Sequence, residues 1–291
     1  MPSKKSARIL ALVLALIMIG SIAAFGIRGI GQPPKRVIKH EAKTLPEIIN
    51  ILPDGATQVL YMDLLGTHDK NLLNYTSMLI QQNTIPEFFR SLQLTSAVRK
   101  YVIAAYPDGL IYLLDVNKTK TYYLTKEKTE YLGYTIKISY DNIAFCDQVS
   151  PIVLGTPNKV LNLIECINNL KPSFNKSVGN YTSRIGKNYP ISLVLYGESA
   201  KEMSQNTSDF YFIGYGMNGT LYEKFVALHF TEYAGFVESN VTEFYSFENY
   251  KDGFSIASMS DSNFTKVLEA KPEIRLLKVV KIEKEKEITQ K

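Results

Sequence analysis

The stretch from Ile9 to Ile27, nineteen consecutive residues without a charge, constrains this chain more than any other feature. As a helix it spans ~28 Å at ~1.5 Å per residue, about the hydrocarbon thickness of a bilayer. Eleven of the nineteen are Leu, Ile, Val or Phe. At roughly −0.3 to −0.6 kcal/mol each, these favour insertion by about 3 to 7 kcal/mol. Lys4, Lys5 and Arg8 precede the run, as in the n-region of a signal sequence, and Ser21-Ile22-Ala23 offers a small-x-small cleavage site. Two readings follow: a retained anchor, favoured by the length of the run, or a signal peptide cleaved near Ala23. The expected order is a cytoplasmic n-region (1–8), a transmembrane helix or signal anchor (9–27) and a juxtamembrane stalk (28–43).

Charge alone does not orient the segment, because Arg28, Lys35, Arg36, Lys39 and Lys43 make the second flank basic too. The net charge of +5 gathers around the apolar run, which reads as headgroup contact rather than a nucleic-acid surface. The expected partners are the lipid bilayer through 9–27 and a cell-envelope protein or glycan, and no nucleic acid. Orientation comes from the Asn-x-Ser/Thr triplets at Asn74, Asn117, Asn175, Asn180, Asn206, Asn218, Asn240 and Asn263. Chance predicts roughly two or three such acceptors, and all eight follow the apolar stretch. They imply an N-glycosylated, extracytoplasmic domain.

The rest is the size of one large or two small domains. Thr44-Leu45-Pro46-Glu47 is a capping box opening a short helix to Ile51, and a strand is expected over Thr57–Leu64. Helical spacing marks Asn71–Gln82 and Pro86–Leu94. Pro107-Asp108-Gly109, Asn218-Gly219 and Lys251-Asp252-Gly253 each sit between β-forming runs and predict hairpins. Thr156-Pro157 caps a helix carrying Val160, Leu161, Ile164 and Ile167, and Ser260 is expected to cap another to Glu269. The polar, weakly periodic 171–189 reads as a linker between a first lobe (44–170) and a second (190–282), ahead of a charged tail (283–291). The fold expected is α+β: one N-terminal transmembrane helix, then a two-lobed mixed or antiparallel-sheet ectodomain with flanking helices. Both halves share an order of elements, which suggests an old duplication.

Three pieces carry a resemblance: Leu52-Pro53-Asp54-Gly55-Ala56 entering a strand, Tyr131-Leu132-Gly133-Tyr134-Thr135-Ile136, and Val153-Leu154-Gly155-Thr156 running into the helix with Val160 and Ile164. In these the chain resembles archaeal, and related bacterial, membrane-anchored or secreted surface proteins of unknown function. The resemblance covers roughly residues 45–170 and implies an α+β extracytoplasmic domain with no catalytic residues to carry over.

Searches for chemistry give little. His40, His68 and His229 are too scattered for a metal site, and His40-Glu41 lacks the second histidine of a zinc-peptidase helix. No cofactor is expected. Gly214-Tyr215-Gly216 sits before a hairpin, where glycine more often marks a bulge than a nucleotide loop. Cys146 and Cys166 either form one bridge, closing a loop of about twenty residues, or serve as small buried hydrophobes. Asp63, Asp115, Asp147, Glu232 and Glu243 fall near strand ends, and two of them 5–10 Å apart would suffice for a glycosidase. The aromatic runs Tyr122-Tyr123, Phe210-Tyr211-Phe212 and Phe244-Tyr245-Ser246-Phe247 could stack on sugars or line half-buried strands. The expectation is a non-enzymatic envelope protein with a structural or binding role; the alternatives are a pilin-like filament subunit and an envelope hydrolase using a carboxylate pair.

Overall fold

The computed structural model describes residues 37–94, 97–116, 121–232 and 234–276. Twelve strands form its principal sheet: β1 (Gln58–Asp63), β2 (Val98–Tyr106), β3 (Gly109–Val116), β4 (Glu127–Tyr131), β5 (Tyr134–Ile138) and β6 (Ala144–Cys146), then β7 (Ile152–Gly155), β8 (Ile191–Tyr196), β9 (Ser208–Asn218), β10 (Leu221–Phe230), β11 (Phe244–Asn249) and β12 (Phe254–Asp261). They lie in the order β11-β12-β10-β9-β8-β1-β2-β3-β7-β6-β5-β4. Every neighbouring pair is antiparallel.

Helices cover both faces. On the first lie α1 (Leu45–Ile51), α4 (Pro157–Ile167) and α5 (Asn175–Thr182), packed with Val59, Val102, Leu113, Val153, Val194 and Phe212 from the sheet. On the second lie α2 (Lys70–Asn83), α3 (Pro86–Phe89) and α7 (Phe264–Glu269), packed with Met62, Ile103, Tyr112, Leu154 and Ile213. A short α6 (Glu198–Met203) links β8 to β9. The inner strands read as near-continuous apolar runs because both faces are covered. Full burial of each large side chain contributes roughly 1.5–3 kcal/mol.

The two-lobed α+β expectation is overturned. β1 and β8, one from each supposed lobe, are hydrogen-bonded neighbours in the middle of the sheet, with Val59 opposite Val194 and Tyr61 opposite Ser192. The supposed linker misled because its composition is polar, yet it contains α5 and sends Phe174, Val178 and Tyr189 into the core. The expected N-terminal transmembrane helix falls on 9–27, outside the described residues. Among the described residues no helix is long and apolar enough to cross a membrane.

Strand order repeats about the β1–β8 seam. Moving outward, one side runs β1, β2, β3, β7, β6 and the other β8, β9, β10, β12, β11. The helix that ends each series breaks the match, since α4 covers the first face and α7 the second.

Local predictions divide by the strength of their signal. The Thr44–Glu47 capping box forms with both of its hydrogen bonds. All three hairpins form. The Pro86–Leu94 helix stops at Phe89, and Leu92–Leu94 pairs instead with Thr121–Tyr123. Ser260 stays in β12, and Asn263 caps α7 through its own side chain. Thr156 occupies its cap position, but its hydroxyl is buried without a partner.

Candidate functional site

The candidate site lies over the β1–β8 seam, on the first face of the sheet. A cleft of about 260 Å³ opens there, floored by Tyr61 of β1, Ser192 of β8 and Phe212 of β9. Its walls are the chain entering α1 (Lys43, Thr44) and the segment after α5 that carries Lys187 and Tyr189.

Two glycines make that second wall possible. A Cβ on Gly214 would overlap the ring of Tyr189, and one on Gly216 would stand 3.2 Å from the Pro190 ring. The Gly214-Tyr215-Gly216 run therefore marks close approach of a neighbouring segment, not the bulge expected of it. The β9–β10 register shifts only between Ser208 and Phe210.

Charges in the cleft are arranged so that carboxylates are satisfied locally. Asp63 accepts from the backbone N–H groups of Leu65 (3.1 Å) and Gly66 (3.0 Å) on Oδ1, and Lys100 Nζ lies 3.5 Å from Oδ2. Lys100 also donates to the Lys43 carbonyl. Lys187 pairs with the buried Glu223, whose other oxygen accepts from Ser258 at 2.8 Å, and donates to the Met217 carbonyl at 3.2 Å. Lys43 pairs with Glu41 at 3.2 Å. Tyr61 is only 6% exposed and lines the cleft, yet its hydroxyl makes no hydrogen bond to a described residue. Burial, then the nearby Asp63, Asp115 and Glu47 carboxylates, push its ionisation well above the usual phenol range. Tyr61 is therefore a donor at any physiological pH.

The other expected carboxylates each have their own surroundings. Asp115 pairs with Arg99 at 2.7 Å and Asp147 with Lys137 at 2.8 Å. Glu232 is exposed at the end of β10, and the Glu243 N–H donates to Asp261. Asp63 and Asp115 stand in register on either side of Lys100. His229 Nδ1 meets Asp209 at 2.7 Å and the Tyr181 hydroxyl at 3.3 Å, tying α5 to β10. His40 begins the short strand His40–Glu41, and His68 is exposed. Among the described residues no three His, Cys, Asp or Glu side chains group to hold a metal. Cys146 and Cys166 are free and buried.

The aromatic runs part company. Phe210 and Phe212 are core residues. Phe244 and Phe247 are exposed on β11, the edge of the sheet. Tyr122 and Tyr123 line an apolar groove of about 970 Å³ with Phe89, Leu92 and Leu124, beside Arg90. The Tyr123 hydroxyl is held by the Ile143 carbonyl at 2.6 Å and its ring stacks on Phe145. The seam cleft escaped sequence reading, because its residues come from segments up to about 170 positions apart and each type is ordinary. Only the Gly214/Gly216 pair hinted at a close approach.

The protein is an antiparallel sheet clad on both faces by helices, with a cleft at its central seam. The family model AF_2048_N, described as a family N-terminal domain, matches residues 41–168. An uncharacterized protein of Archaeoglobus fulgidus is 31% identical over 289 residues, covering 93% of this chain and 94% of that one. The chain belongs to this archaeal family of unknown function. Among solved structures, crystal form I of TP0453 covers 76% of this chain and 95% of its own at 9% identity and TM-score 0.40. Crystal form IV of the same protein gives the same score and identity. At that score the likeness carries no argument about fold or function.

Proposed function

We propose that this is an extracytoplasmic, N-glycosylated protein of the cell envelope with a non-enzymatic binding role. The observation that carries the reading is the placement of its sequons. Asn74, Asn175, Asn180, Asn206, Asn218, Asn240 and Asn263 are all exposed, and Asn117 lies outside the described residues. An Asn- and Thr-rich chain could scatter such triplets anywhere, including strand interiors where a glycan cannot fit. At Asn263 the cap uses Oδ1, which accepts from the Thr265 and Lys266 N–H groups, so Nδ2 remains available for a sugar. The uncharged 9–27 stretch supplies the export signal by its sequence. A binding role fits Asp63, Asp115 and Asp147, each engaged with a cation or a backbone amide, and its partner is a cell-envelope protein or glycan.

Intact-mass spectrometry on membrane and medium fractions of the native cells tests this. The expected result is a mass above 32.9 kDa by sugar-sized increments. The fraction that holds it tells whether 9–27 is retained or removed. An unmodified full-length mass, with the domain protected from protease in intact cells, would overturn the reading.

A further inference from the structure

The seam cleft has a hydrogen-bonding imbalance that its own residues do not explain. Asp63 is occupied by two backbone amides and Lys100, and Glu223 by Ser258 and Lys187. Both carboxylates are thus engaged, while each ammonium group carries three donors and has some left over. Lys100 engages two acceptors, Lys187 engages two, and Lys43 engages Glu41 alone. To these is added the Tyr61 hydroxyl, on a residue only 6% exposed and without a hydrogen-bond partner among the described residues. Its oxygen faces the cleft, where a guest can reach it. Spare donors thus converge on the cavity.

We propose that the seam cleft binds a small oxyanion, a molecule presenting a phosphate or carboxylate group to Tyr61, Lys43, Lys100 and Lys187. Charged acceptors make the strongest hydrogen bonds with ammonium and hydroxyl donors. A volume of about 260 Å³ admits an anionic group with a short organic body. The anion arrives either as a soluble molecule or as a lipid headgroup, and the chemistry at the cleft is the same. The inference deepens the binding role proposed above and needs neither glycans nor a particular side of the membrane.

The test uses the full chain purified in detergent. Isothermal titration and thermal melts are run with inorganic phosphate, glycerol phosphate and succinate, and flotation with vesicles of phosphatidylglycerol against phosphatidylcholine. Saturable binding to any of the anions, or to the anionic vesicles alone, is expected; the first identifies a soluble ligand and the second a headgroup. Tyr61→Phe keeps the ring and removes only the donor, and should weaken binding about tenfold with an unchanged melting temperature in the absence of probe. Lys43→Gln, at an exposed position, should weaken it further, and Lys128→Gln, on the far edge of the sheet, should not. Absence of saturable binding to every probe would overturn the proposal, as would binding that Tyr61→Phe and Lys43→Gln leave intact. Glycans found on a chain that binds no probe would sink this inference alone. An unmodified, cytoplasmic chain that binds phosphate would sink the surface reading instead.

Discussion

Lys224 shows how a residue unremarkable in sequence acquires a property from packing. It projects from β10 into the second face, where Nζ donates to the carbonyls of Leu268 (3.1 Å) and Ala270 (2.6 Å) at the end of α7. Burial, with a smaller contribution from Lys271, lowers its pKa from 10.5 to about 8. Below pH 8 both folded and unfolded chains carry the proton, and the folded one bears the full cost of a buried charge. Between pH 8 and 10.5 the folded chain has released it and the unfolded chain has not, so stability from this group rises with pH. The full rise is roughly 3 kcal/mol, because each pH unit between those two values contributes ~1.36 kcal/mol. Urea melts of wild type and Lys224→Met from pH 7 to 10 check this: the wild-type-minus-variant difference should climb across that window, and a flat difference would refute it. The cysteines follow the same logic. Burial pushes both thiols up to about 11, so neither is an effective nucleophile at neutral pH. A thiol reagent should react slowly with the folded chain and titrate two groups per chain in denaturant without reductant; zero groups would mean a bridge.

At the scale of elements, what was legible in the sequence was whatever is specified locally. Turns declared themselves by Asn-Gly and Asp-Gly, and the first helix by its capping box, because a few adjacent residues decide those structures. Elements decided by distant partners were not legible. Leu92–Leu94 continues a helical pattern, yet it is a strand because Thr121–Tyr123 is there to pair with it. Glu127–Tyr131 has no apolar alternation because it is an exposed edge. The Tyr189–Pro190 segment has no repeat of its own and is set by the flat surface of Gly214 and Gly216. That dependence is testable. Gly214→Ala places a methyl group into the Tyr189 ring, an overpacking cost of about 1–3 kcal/mol. It should lower the denaturation midpoint and displace the Lys187–Tyr189 wall of the cleft. A variant as stable as wild type would show that the wall is not seated on β9 as described.

For the whole molecule, the decisive fact is that the sheet is continuous across the position where a linker was expected. Composition identified 171–189 as polar, but composition does not register which strands meet, and a two-lobe order of elements is also the order of a sheet that repeats about its centre. β1 would be an unpaired edge without β8, and β8 likewise without β1, each with apolar side chains on both faces. Phe174, just before α5, and Val178 of α5 sit in the same cluster as Ile48 and Ile49 of α1, and the Phe174 N–H donates to the Leu52 carbonyl at 2.8 Å. The bonds that hold the supposed linker therefore reach into both halves. It follows that neither half has a complete core alone. Fragments 37–170 and 171–276, produced separately, should each lack the near-ultraviolet signal of packed tyrosines and should expose apolar surface to dye, whereas the intact chain should unfold in one cooperative transition. Mixing the fragments should restore the signal, because the seam is made of backbone pairing that two chains can supply as well as one. Independent folding of either fragment, or two separated transitions in the intact chain, would mean that the seam joins units stable on their own. The cleft would then be an inter-domain site that opens and closes, and oxyanion affinity would depend on the state of the seam.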